Sequence, residues 1–219
     1  MEETWNAIIL NKSNFNDFDE IISVLTTNGI KKIFAPGVRK ITSKNRNSLT
    51  ILNLCNLEII LPKNNNLLPR LKRANIINQF PNNPMLLSFA NDLKYFFSFI
   101  KKSNCKKLLD VYHELLPLLN QNKDTKILDY LLFKILECEG INPKLDGCIE
   151  CKNTENLIDF QFHKGGFLCT NHSDNYLGKS LLISLYYINK DFSYFDKYTN
   201  FVDAQTIKKM IIQYLIENY

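Results

Sequence analysis

Two hydrophobic periods divide the chain, and they change near residue 80. Before that point the apolar positions come in short runs. Trp5, Ala7 and Ile9 alternate with Asn6, Ile8 and Leu10, and further runs lie at 21–27, 30–35, 49–54 and 57–61. A two-residue period sends successive side chains to opposite faces, so these runs predict about five short strands. Asn28-Gly29, Pro36-Gly37 and Pro62-Lys63 with three following asparagines supply turn chemistry between them. Five strands in about 75 residues predict an OB-type barrel, a fold in common use for single-stranded nucleic acid; an SH3-like barrel has the same count.

Past Phe80-Pro81-Asn82-Asn83-Pro84 the apolar spacing becomes three and four. Met85, Phe89, Leu93, Phe96, Phe97 and Ile100 form one such set, Leu108, Leu109, Leu115 and Leu116 a second, and Ile127, Leu128, Leu131, Leu132, Ile135 and Leu136 a third. Each predicts a helix with one buried face, and the aromatic stripe of Phe89, Phe96 and Phe97 is expected in the core. Gly140 followed by Pro143 is a helix stop. Two more helical patterns cover 177–189 and the stretch from Asp203, as expected N-cap, through Ile207, Met210, Ile211, Tyr214 and Leu215. The resulting expectation is an α+β protein: a strand domain at 1–80, then a helical domain at 81–219 interrupted by an irregular insertion at about 141–175.

An apolar fraction of 45% and a charged fraction of 22% are those of a compact globular chain. The opening MEETWNAIILNKSN lacks a basic segment followed by a long apolar one, and no run reaches the roughly 18 apolar residues of a membrane span. A cytoplasmic protein with no membrane partner is expected. Charge then separates the two parts. Residues 1–80 hold 11 Lys and Arg against 6 Asp and Glu, whereas 81–219 hold 16 of each. Lys31, Lys32, Arg39, Lys40, Lys44, Arg46, Lys63, Arg70, Lys72 and Arg73 fall in one stretch whose single acid is Glu58. Concentrated cations bind polyanions by releasing their counterions, or simply keep a small sheet domain soluble.

The insertion carries the most specific chemistry. Cys148 and Cys151 form a C-x2-C knuckle, and Cys169 with His172 forms C-x2-H. Two-residue spacing lets both side chains of a tight turn reach one ion, and two knuckles complete a tetrahedron. Four protein ligands leave no open position, so one structural zinc ion per chain is expected. His163 is a second candidate for the fourth ligand, although its spacing from Cys169 suits a knuckle poorly. The H-x-E and P-C-x-x-C elements of a zinc deaminase are missing. Cys55, Cys105 and Cys138 lie in apolar surroundings and are expected as small buried hydrophobes. With no phosphate-cradling glycine loop, no H-E-x-x-H and no carboxylate cluster, no catalytic residue is assigned.

The order of parts resembles the RecO family of bacterial DNA repair proteins. The resemblance rests on NAIILNKSNFNDFDEIISVLTTNGIKKIFAPGVRKITSK at the N-terminus, on ILDYLLFKILECEGINPKLDGCIEC, and on FQFHKGGFLC, and it covers nearly the whole chain. It implies an N-terminal OB-fold that binds DNA, a helical domain with an inserted zinc module, and a non-enzymatic mediator of repair and recombination. Such proteins bind single-stranded and also double-stranded DNA, anneal complementary strands, and with RecR assist loading of RecA. They contact the acidic tail of the single-stranded-DNA-binding protein, and RecF is a further candidate partner; nucleoid association follows. His172 stands where many relatives have cysteine, a change that zinc tolerates. Another class of function, a zinc-bearing OB-fold adaptor that binds RNA in translation or transcription, is compatible with the same parts.

An OB-fold handles a single strand by tracking its phosphates with basic loops and stacking bases on aromatics. That assigns Arg39, Lys40, Lys44 and Arg46 of the acid-free loop 36–47, together with Lys32, Arg70, Lys72 and Arg73, to DNA. Phe34 shares a strand face with Lys32 and is the candidate stacking residue, with barrel core as its alternative role; Trp5 is expected in the core.

Overall fold

The computed structural model describes residues 1–219 apart from Asn65, Ser103 and Tyr219, and it divides into two compact units, Met1–Leu119 and Asn120–Tyr219.

In the first unit β1 (Glu2–Phe15), β2 (Asp19–Thr26), β3 (Gly29–Ala35), β4 (Leu54–Ile60) and β5 (Arg70–Asn78) close into a barrel of order β1-β2-β3-β5-β4. It is the OB-type barrel expected. The seam is the parallel pairing of β3 with β5, where the Phe34 N–H donates to Pro69 O at 2.8 Å. Alternation does what the two-residue period dictates: Ala7 and Ile9, Ile22 and Val24, Ile33 and Ala35, and Leu57 and Ile59 all point into one core. Trp5 packs half-buried against that core.

Two strand assignments change. The apolar run 49–54 is not a strand up to Asn53; it ends an excursion of turns between β3 and β4. Leu49 enters the barrel core and Leu52 is buried as well, with a left-handed φ of 67° that breaks any ladder. The Leu52 N–H donates to Ile9 O at 2.7 Å, and the Ile9 N–H donates to Asn53 O at 3.1 Å, so this segment plugs the barrel while borrowing hydrogen bonds from β1. The fifth strand is instead β5, whose RLKRANIIN sequence hides its alternation behind two bulges against β4.

The period changes between Asn78 and Pro84, and α1 (Leu87–Phe97) and α2 (Lys106–Leu115) share the barrel's unit. The Tyr112 hydroxyl donates to Leu52 O at 2.6 Å and the Cys105 N–H donates to Thr27 O at 2.9 Å, which ties α2 to the barrel. Phe89, Phe96 and Phe97 are buried as expected, whereas Met85 precedes α1 and is exposed.

The second unit contains α3 (Asp124–Cys138), β6 (Lys144–Cys148), β7 (Leu157–Gln161), β8 (Gly166–Cys169), α4 (Lys179–Ile188), α5 (Phe192–Tyr198) and α6 (Phe201–Asn218). Helix α3 ends as its sequence requires: Gly140 adopts φ 86° and the Ile141 N–H returns to Leu136 O at 2.9 Å. The insertion, expected to be irregular, is a three-stranded sheet of order β6-β8-β7. Asp203 does not cap α6. Asn200 does, accepting from the Asp203 N–H at 2.9 Å, while Asp203 sits in the first turn and receives the Asn200 amide at 2.7 Å. Helix α5 has too few residues for an apolar period to register, and Asp191 starts it by accepting from the Ser193 N–H at 2.7 Å.

Candidate metal centre and nucleic-acid interface

Both knuckles sit at one end of the small sheet. Cys148 closes β6 and Cys169 closes β8, two neighbouring parallel strands, and the turn after each delivers Cys151 and His172. In the first knuckle the Lys152 N–H donates to Cys148 O at 2.9 Å and the Cys148 N–H to Asn153 O at 2.8 Å. In the second the His172 N–H donates to Cys169 O at 2.9 Å. Gly166 makes the parallel pairing possible: a Cβ there would lie 2.2 Å from Lys144 O.

The four donor atoms lie within 4.8 Å of one another, with Cys151 Sγ 3.7 Å from Cys169 Sγ. His172 Nδ1 stands 3.5 Å from Cys148 Sγ and 3.3 Å from Cys169 Sγ. A tetrahedron with zinc–sulfur bonds of about 2.3 Å and zinc–nitrogen bonds of about 2.0 Å has edges of about 3.8 Å between sulfurs and about 3.5 Å from sulfur to nitrogen. These three edges match that shape, and the cluster could hold a metal ion. His163 lies exposed in the turn between β7 and β8 and is not part of it.

The electrostatics favour thiolate at Cys148 and Cys169 but not at Cys151, where the Asn153 amide hydrogen bond lowers the thiol but burial and the contacts with Cys169 and Cys148 outweigh it and raise it. Burial opposes ionisation of Cys148, but amide hydrogen bonds from Cys151, Cys169 and Glu150 outweigh it and hold the thiol down to about 6. The His172 hydrogen bond lowers Cys169, and the same contact raises His172. Asp159, which sequence reasoning missed, anchors the chain just after His172. It accepts from Ser173 Oγ at 2.7 Å, Asn175 Nδ2 at 2.8 Å and Gln161 Nε2 at 2.6 Å. Burial would raise this carboxyl, and those bonds hold it below the usual range. Its signal in sequence, a polar residue inside the apolar strand LIDFQ, is weak.

On the barrel, Lys32, Arg39, Lys40, Lys44, Arg46, Arg70, Lys72 and Arg73 are all exposed. Asn45 ties their loop to β5: its Oδ1 accepts from the Ala74 N–H at 3.0 Å and its Nδ2 donates to Lys72 O at 3.4 Å. Lys44 and Arg46 are thus held beside Lys72 and Arg73. Arg39 and Arg46 line one depression of about 280 Å³ with Lys12 and Glu20. The β4–β5 bulge opposes Glu58 to Arg73 and Ile59 to Leu71, leaving Lys72 as the extra residue, so both cations face outward. Lys72 is the most engaged of the set, 2.7 Å from Glu2 and 3.9 Å from Glu58.

Phe34 is on the outer wall, since its neighbours Ile33 and Ala35 fill the core. It meets Phe15 edge-on at 5.7 Å, and both line an apolar depression of about 530 Å³ with Ile21, Leu67, Leu68 and Arg70. Phe15 went unnoticed in the sequence because it ends β1 beyond the alternating run, yet it is 45% exposed.

Two family models match in chain order, recombination protein O N terminal over residues 1–80 and recombination protein O C terminal over residues 98–180. Curated relatives called DNA repair protein RecO agree. That of Mycoplasma capricolum is 32% identical over 138 residues, 63% of this chain and 47% of the relative. That of Mycoplasma mycoides is 40% identical over 81 residues, 36% of this chain and 32% of the relative. The chain therefore spans half or less of the length of these two. With the relative from Ligilactobacillus salivarius the match is 27% identical and reaches 94% of this chain and 84% of the relative. Both halves of one family in order, over a barrel and a Cys/His-bearing unit of the expected kinds, mean that this chain belongs to the RecO family.

Proposed function

We propose that this protein binds single-stranded DNA through its barrel domain, residues 1–80, and acts non-catalytically in DNA repair and recombination. In this reading it anneals complementary strands and, with RecR, assists loading of RecA on DNA coated by the single-stranded-DNA-binding protein, whose acidic tail it contacts. RecF is a further candidate partner, and the nucleoid is the place of action. The helical part, residues 81–219, carries a structural zinc ion held by Cys148, Cys151, Cys169 and His172.

The observation that carries the proposal is the basic surface built by loop 36–47 and β5, held together by Asn45. Exposed cations spaced along a loop neutralise phosphates without reading bases, which suits a protein that must hold strands and release them. Phe34 and Phe15 add an apolar wall beside Arg70 on which a base can stack. Lys72 contributes least, because Glu2 and Glu58 compete for its ammonium. Zinc at the knuckles supplies rigidity and no reaction step, since all four positions are taken by the protein.

Annealing of complementary oligonucleotides, naked and coated by the single-stranded-DNA-binding protein, tests the reading. Acceleration of both by the full chain without nucleotide triphosphate is expected. Preferential binding of folded RNA with no annealing would instead identify an RNA adaptor.

A further inference from the structure

Away from the barrel, we propose that Tyr187, Tyr194 and Tyr198 form a second single-stranded nucleic-acid site, a base-stacking platform on the zinc-bearing unit. Tyr187 comes from α4 and the other two from α5. Their ring planes are nearly parallel, at 14° between Tyr187 and Tyr198, 12° between Tyr187 and Tyr194 and 3° between Tyr194 and Tyr198. Centroids are 4.5, 5.7 and 6.5 Å apart in the same order. Packing alone would explain three buried rings, but Tyr194 is 50% and Tyr198 42% exposed. Parallel, half-exposed aromatic faces are what a planar ligand stacks on.

Cations flank the platform. The Lys197 ammonium lies over the Tyr198 ring, 5.1 Å from its centre, and that of Lys190 over the Tyr186 ring at 4.9 Å. Tyr186 meets Tyr187 edge-on, and among the described residues no such cation lies over Tyr194, the most exposed ring of the three. The carboxylates of this segment are already engaged. Asp191 caps α5, accepting from Ser193, and Asp196 is held by Lys123 at 2.7 Å and Lys126 at 3.0 Å. Only Asp146 opposes, 3.6 Å from Lys190, among the ion pairs of the described residues near the rings. Tyr186, Tyr187 and Tyr198 also line a depression of about 600 Å³ together with Leu182, Ile183, Lys179 and Asp146. Flat rings with ammonium groups close by fit a base with its phosphate better than an extended peptide, which needs backbone partners that apolar walls do not offer. One chain with two strand sites can hold both partners of an annealing reaction. Only this last consequence rests on the reading of the preceding section.

The test compares the full chain with Tyr194→Ala/Tyr198→Ala and with the ring-preserving Tyr194→Phe/Tyr198→Phe. The probes are oligothymidylate and an abasic oligonucleotide of equal length. The Ala pair should lose about tenfold in oligothymidylate affinity, the Phe pair less than about twofold, and binding of the abasic strand should not change. Tyr194→Ala alone, at the most exposed ring, guards against misfolding in the pair and should show part of the same loss. Equal affinity of the Ala variants and wild type for oligothymidylate overturns the platform. So does unchanged DNA binding with lost affinity for an acidic peptide, which would make this a peptide groove. Failure of the barrel reading is distinguishable, because it would appear as unchanged binding when the loop cations at 39–46 are neutralised.

Discussion

The barrel buries Ala7, Ile9, Ile22, Val24, Ile33, Leu57, Ile59 and Leu71 around one interior, whereas at the knuckle end of the three-stranded module the buried cluster is Leu168 with Cys148 and Cys169, flanked by Ile149 and Leu157, and Leu145, Phe160, Phe162 and Phe167 are buried outside it. Burial of each large aliphatic side chain stabilises by roughly 1.5–3 kcal/mol, so the barrel can hold itself together by apolar contacts. The knuckle end cannot. Two of the three residues buried in that cluster are candidate metal ligands, and so small an apolar cluster needs a metal or a crosslink to fix it. Apolar contacts hold the barrel together, whereas at the knuckles a cluster of four candidate ligands takes that place.

The largest expected effect breaks that contrast directly. Cys148→Ser or Cys169→Ser should abolish zinc binding and unfold the module, because binding of a structural metal is coupled to folding, while the barrel stays folded. Metal analysis and proteolysis of the variants check this, and one zinc per chain is expected in the wild type. His172→Ala should also lose the metal and His163→Ala should keep it. Full zinc content in His172→Ala would refute the ligand assignment.

Next in size is a pH effect confined to the second unit. Asp129 on α3 is fully buried, and neither carboxylate oxygen has a hydrogen-bond partner. Burial pushes its carboxyl up to about 8, with the charge of Lys208 opposing. The folded state then holds a proton that the unfolded state has released above about pH 4. Stability from this group is complete below pH 4 and is lost as pH rises toward 8, a change on the order of a few kcal/mol. Denaturation of the wild type and of Asp129→Asn at pH 5 and pH 8 should show the wild type weakening relative to the variant. Parallel pH curves would show that Asp129 does not carry the effect.

How far these differences could be read from the sequence depends on how much each chemistry constrains residues. Metal binding demands particular side chains at short spacing, so the gathering of Cys148, Cys151, Cys169 and His172 into one cluster that could hold an ion was legible in the sequence. Long helices repeat their period often enough to be recognised, as in α3, while the short α5 does not. Strands were legible where one face is core, as in β2 and β3. They failed where apolar residues serve as a plug, as at Leu49 and Leu52, and where bulges scramble alternation, as in β5. The face of Phe34 followed from its spacing to Lys32, but its pairing with Phe15 and the gathering of the tyrosines depend on which elements become neighbours, and no local pattern encodes that.

Smaller in effect is the ranking within the basic surface. Lys72→Gln should weaken single-stranded DNA binding less than Arg46→Gln, since Glu2 and Glu58 already hold Lys72 and gain nothing from losing it. Equilibrium binding of the two variants at one salt concentration checks this. An equal or larger loss for Lys72→Gln would mean that DNA displaces both carboxylates at little cost.

The barrel's role is tested most directly by the salt dependence of single-stranded DNA binding, measured for the wild type and for a variant with Arg39, Lys40, Lys44 and Arg46 changed to glutamine. Contact with about four to six phosphates gives a slope of log binding constant against log salt of roughly −3 to −4. Each true contact removed should flatten the slope by about 0.7, with no dependence on base sequence and no loss of barrel stability. Unchanged affinity and an unchanged slope in the four-fold variant would contradict the assignment of DNA to this face.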